Sequence, residues 1–69
     1  MDTNKLLYFI KDRGIRVDDF CKEMEMSVST FYRRCKEATF RLKDIYKISD
    51  FLNLTQDDVN SIFFANQVS

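Results

Sequence analysis

The chain has no proline, no histidine and no tryptophan, and its 69 residues include a single glycine, Gly14. Each absence narrows the field. Turn-rich β architectures depend on Gly and Pro, so the sequence predicts helices joined by short connections. Without histidine the most frequent general base and the most frequent zinc ligand are both missing. Cys21 and Cys35 lack the spacing of a zinc site, so no metal site is expected. Both are expected to be reduced, buried thiols. No apolar run approaches the ~20 residues of a membrane span, and no signal-peptide pattern opens the chain; the expected location is cytoplasmic. Asp18 and Asp19 form a carboxylate pair, yet without a histidine, and in a chain too short to enclose a cleft, no catalysis, cofactor or small-molecule substrate is expected. An excess of one charge is missing too. Eleven cations balance eleven anions, so overall charge does not favour nucleic acid.

What the chain does have is apolar content. Hydrophobic residues make up 45% and ten are aromatic, enough to build a core and to argue against disorder. The length supports one domain, residues 1–69, which at this size buries only about 60% of its unfolded surface. Five helices can be marked. The first runs from about Thr3 to Arg13, with Leu6, Leu7 and Ile10 inward and Gly14 as its stop. The second spans about Val17 to Met24, with Phe20, Cys21 and Met24 on one face and Asp18 and Asp19 at the positive end of its dipole. The third covers about Val28 to Lys36, with Ser27 as N-cap. The fourth extends from about Leu42 to Leu52, with Leu42, Ile45, Ile48 and Leu52 as its inward stripe and Asn53 as a left-handed terminator. The fifth follows "TQDDVNSIFF", where Thr55 and Asp58 have the spacing of a capping box. The expected fold is all-α and compact.

Helices two and three are separated by only about three residues, Glu25 to Ser27. Two short amphipathic helices joined so tightly are the helix-turn-helix arrangement, here about residues 17–36, whose second helix can enter a major groove. Phe31 and Cys35, four apart, face the domain. Ser29, Tyr32, Arg33 and Lys36 fall on the other side, with Val28 at the tip. Local charge agrees with this. Residues 27–47 carry six cations and two anions, a balance of +4, against −1 for residues 1–26 and −3 for residues 48–69. Neutrality therefore conceals a dipolar molecule, positive around the third helix, and phosphate attraction depends on the local field.

The stretch "VDDFCKEMEMSVSTFYRRC" resembles the helix-turn-helix of the lambda-repressor-like, or XRE, superfamily, which includes Cro and repressor proteins of temperate phages. The following "FRLKDIYKISDFLNLTQDDVNSIFF" is similar to the tail of small prophage regulators in that group, so the likeness spans about Asn4 to Phe64. It implies a five-helix fold and a sequence-specific transcriptional regulator binding a double-stranded operator, usually as a symmetric homodimer, in a bacterial host cell. The sequence departs from the pattern at three places. Cys21 stands where a small residue is usual, Glu25 where the turn glycine is usual, and Val17-Asp18-Asp19 where many relatives place a glutamine that grips the DNA backbone.

Within that likeness Ser27, Val28, Ser29, Tyr32, Arg33 and Lys36 are the expected base-contacting residues. Arg34, Arg41 and Lys43 are the expected phosphate contacts. The plain alternative, an ordinary solvated basic face, is weighed down by their concentration on one exposed side. Phe51, Ile62, Phe63 and Phe64, around "SIFFANQV", form an expected protein interface, because aromatics outnumber what the inward stripes need. An alternative function follows from the acidic start of the second helix and from this surplus: an anti-repressor that keeps the fold and acts by binding a repressor protein.

Overall fold

The computed structural model of the chain describes residues 1–64, and these form five helices: α1 (Thr3–Asp12), α2 (Val17–Glu23), α3 (Val28–Glu37), α4 (Leu42–Leu52) and α5 (Gln56–Phe63). No strand occurs among the described residues. The all-α fold and the helix order match the expectation, with ends shifted by one residue at α1, α2 and α3.

The helix stops are where the shortage of glycine becomes visible. α1 to α4 each end on a residue with positive φ: Gly14 (72°), Glu25 (59°), Ala38 (54°) and Asn53 (55°). Each bend is closed by the same hydrogen-bond pattern, in which the next residue's N–H reaches five positions back. Ile15 N–H donates to Ile10 C=O, Met26 to Cys21, Thr39 to Arg34 and Leu54 to Ser49, at 2.9–3.2 Å. Glycine adopts this conformation without strain and asparagine tolerates it, so the cost falls on Glu25 and Ala38. The starts of α1, α3 and α5 are capped by side-chain acceptors. Asp2 receives Lys5 N–H at 3.0 Å, Ser27 receives Thr30 N–H at 3.1 Å, and Thr55 and Asp58 exchange both bonds of a capping box at 3.1 and 3.0 Å.

The core is one apolar cluster of Leu6, Ile10, Phe20, Cys21, Met24, Phe31, Cys35, Ile48, Leu52 and Ile62, drawing on all five helices. No polar or charged side chain is buried among the described residues, so apolar burial supplies the driving force. Phe20 and Phe31 meet edge to face, 5.6 Å between centroids, which fastens α2 to α3 at the centre of the domain. Two contacts that the sequence reading did not anticipate tie the ends together. Asp2 N–H donates to the Ile62 carbonyl at 2.7 Å. Arg13 Nε donates to the Leu52 carbonyl at 3.0 Å, satisfying one of α4's unpaired terminal acceptors.

Two expectations are corrected. Leu42, assigned to the inward stripe of α4, is 60% exposed; it opens the helix and lies to one side of the arc that Ile45, Ile48 and Leu52 bury. Ile62, assigned to a surface interface, is completely buried, because α5 turns Val59 and Ile62 into the core. Phe63 is half-buried with its ring 6.0 Å from Phe40, whereas Phe51 touches Phe20 at 5.9 Å and stays exposed, as expected. The aromatic surplus is thus divided between half-buried Phe9, Phe63 and Phe64 and exposed Tyr8 and Phe51. Phe64 is half-buried, and the rest of the expected interface, residues 65–68, lies outside the described residues.

Candidate nucleic-acid interface

α2 ends at Glu23, and Met24 to Ser27 carry the chain into α3. The left-handed bend at Glu25 turns the backbone sharply, and half-buried Met26 then packs against the core. Ser27 adopts extended backbone and caps α3. Phe31 and Cys35 hold the inner side of α3. Rotation at about 100° per residue then directs Ser29, Arg33, Lys36 and Glu37 outward, and all four are exposed. Tyr32 is 44% exposed, its ring edge resting on Phe31 at 5.3 Å. Val28 lies exposed at the helix tip.

Most of the base-contacting set thus shares one exposed surface. Ser27 differs: its Oγ accepts from Thr30 N–H and also donates to Thr30 Oγ1 at 2.9 Å. The hydroxyl is occupied within the first turn of its own helix.

The expected phosphate set divides. Arg34 Nη1 lies 3.5 Å from Asp44 Oδ2, with both side chains largely shielded. The same carboxylate oxygen accepts Arg41 N–H at 3.2 Å. Asp44 therefore joins α3 to the start of α4, and Arg34 serves as a strut between helices. A second bridge, Lys47 Nζ to Glu25 Oε2 at 3.8 Å, ties α4 to the turn across exposed surface. Between these bridges lies a groove of about 560 Å³, lined by the turn, the start of α3 and the start of α4. Arg41 and Lys43 line it as well. Among the described residues neither they nor Arg33 and Lys36 form an ion pair. These four cations are the free positive charge of this side of the molecule.

Two contributors escaped the sequence reading. Asp44 and Glu25 act through contacts with partners ten or more positions away, which no local pattern reveals. At the start of α2, Asp18 and Asp19 are exposed, and Asp18 is partly neutralised by Arg16 at 3.6 Å.

The two thiols take no part in this surface. Both are free and buried. Burial pushes Cys35 up to about 11, and it also raises Cys21, with Asp18 adding to the effect. Both shifts disfavour the thiolate, the reactive form of cysteine. No group of three or more His, Cys, Asp or Glu is arranged to hold a metal among the described residues, and no helix there is long and apolar enough to cross a membrane.

The family model for the Cro/C1-type HTH DNA-binding domain matches residues 5–64. That span contains every helix of the fold except the first two residues of α1. No curated protein and no solved structure matched the chain.

Proposed function

The chain belongs to the Cro/C1-type helix-turn-helix DNA-binding family, and from that premise we propose that it is a sequence-specific transcriptional regulator of the Cro or repressor kind that inserts α3 into the major groove. The observation that carries this reading is the set of unpaired cations. Arg33 and Lys36 stand on the exposed side of α3, and Arg41 and Lys43 stand beside it at the start of α4.

In this reading Arg33 bridges guanine O6 and N7, and Ser29, Tyr32 and Lys36 reach neighbouring base edges. Val28 meets a thymine methyl. Arg41 and Lys43 hold the phosphates that set register. Ser27 and Arg34 work indirectly, one capping α3 and the other bracing it against α4. The regulator acts as a homodimer on a pseudo-palindromic site, in the cytoplasm of a bacterium carrying a temperate phage or prophage. The phage setting rests on the likeness of the chain's second half to small prophage regulators.

A salt titration tests the phosphate assignment. Log Kd for duplex DNA should vary linearly with log salt, with a slope of about 0.9 per neutralised phosphate. Arg41→Ala and Lys43→Ala should each lower that slope by about 1 and weaken operator and random DNA alike. A slope that neither substitution changes removes them from the interface.

One observation favours a second reading. Exposed Asp18 and Asp19 open α2, where the DNA backbone would approach. An anti-repressor that binds a repressor's basic surface would use them directly. Absence of DNA binding at low salt, with binding restored by a repressor protein, selects this reading.

A further inference from the structure

α4 packs inward through Ile45, Ile48 and Leu52. A neighbouring side, centred near Tyr46, carries Leu42, Lys43, Tyr46 and Asp50, all exposed; exposed Lys47 borders it and is engaged by Glu25 at 3.8 Å. Tyr46 is 68% exposed, more than any other large apolar side chain among the described residues. Leu42 precedes it by four positions and so lies one turn away on the same surface. α5 offers nothing comparable, because its exposed residues Gln56, Asp57 and Asn60 are polar.

The charges on this face have an order. A cation, Lys43, comes before Tyr46 and an anion, Asp50, comes after it, at i, i+3 and i+7. Neither forms an ion pair among the described residues. Such an order is complementary to itself. When a second copy lies antiparallel with the two-fold axis near Tyr46, each Lys43 faces Asp50 of the other copy, about 10 Å along the helix from its own Asp50. The two Tyr46 rings then meet at the axis, with the Leu42 side chains beside them. Every contact occurs twice, as an isologous interface requires.

We propose that the outer face of α4 is the surface through which two copies of this chain associate. The proposal rests on the homodimer reading above and specifies where that dimer forms. It is compatible with the phosphate role of Lys43, whose ammonium carries three N–H donors and can hold a carboxylate and a phosphate together.

Sedimentation velocity of the purified chain without DNA, over a wide concentration range, tests it. The wild-type chain should dimerise with concentration. Tyr46→Ala should weaken the dimer roughly tenfold or more through lost apolar contact, and Lys43→Asp or Asp50→Lys should do the same by setting like charges opposite each other twice. The double variant Lys43→Asp/Asp50→Lys should recover the dimer to within a few-fold, since the pairs re-form with exchanged sign. Circular dichroism establishes that each variant is folded. A chain that stays monomeric throughout overturns the proposal, as does a dimer indifferent to these changes or a double variant no better than the single ones. A monomer that still binds one operator half-site would leave the DNA-binding reading standing while removing this one.

Discussion

At the residue scale, the scarcity of glycine has a measurable cost. Ala38 terminates α3 with φ 54°, a conformation that costs an L-residue roughly 1–2 kcal/mol. Ala38→Gly should therefore stabilise the domain by about 0.5–1 kcal/mol, after the greater freedom of glycine in the unfolded chain is deducted. Asn53→Gly should gain only a few tenths, because asparagine tolerates the left-handed region. Gly14→Ala should lose about 1 kcal/mol and no more, since nothing lies within 4 Å of the added Cβ and the cost is conformational alone. Urea denaturation of the three variants checks both the order and the signs. Equal effects at Ala38 and Asn53 would show that side-chain type does not govern these stops. The glycine and asparagine stops were legible in the sequence, because those residues announce left-handed backbone. Ala38 was not: alanine is the best helix former, and only the tertiary requirement to turn towards Phe40 and α4 makes it end one.

At the element scale, helix existence followed from apolar periodicity, and the caps at Ser27 and at Thr55 with Asp58 followed from hydroxyl and carboxylate spacing. Contacts between elements did not. Arg34 reads in sequence as one more cation of a basic helix, and only the approach of α4 gives it Asp44. A double-mutant cycle with Arg34→Met and Asp44→Asn should yield a coupling of about 1 kcal/mol that weakens with added salt. The asparagine retains an acceptor for Arg41 N–H, so the cycle isolates the ion pair. Coupling indistinguishable from zero would remove Arg34 as a strut and return it to the phosphate set. At α5, bonds from Thr55 backbone N–H and then its hydroxyl hold the Asp58 carboxyl below its ordinary 3.8. A depressed folded-state value contributes stability above 3.8 and loses it as pH falls through the folded value. Thermal melts below pH 3.8 should thus show a shallower acid decline in Asp58→Asn than in the wild-type chain. Identical declines would assign acid sensitivity to other carboxylates.

At the scale of the whole molecule, zero net charge is a poor guide, and the distribution is what matters. Eleven cations and eleven anions separate so that Arg33, Lys36, Arg41 and Lys43 collect around α3, while Asp50, Asp57 and Asp58 are the only charged residues from position 48 onward. The exposure of Ser29, Tyr32, Arg33 and Lys36, the face proposed for recognition, was therefore legible from position along α3. The face proposed for association was not, because Ile62 and Phe63 read as exposed until Ile62 enters the core and Phe63 meets Phe40, whereas Leu42 reads as inward and is left in the open beside Tyr46. The central claim is that α3 reads base sequence through Arg33. It is tested most directly by anisotropy titration of wild-type and Arg33→Ala chains on an operator selected from random duplexes and on unselected DNA. Arg33→Ala should weaken operator binding by about 1–3 kcal/mol and relax preference at one base pair, with a much smaller loss on unselected DNA. Equal losses on both would contradict the claim and reduce Arg33 to a phosphate contact.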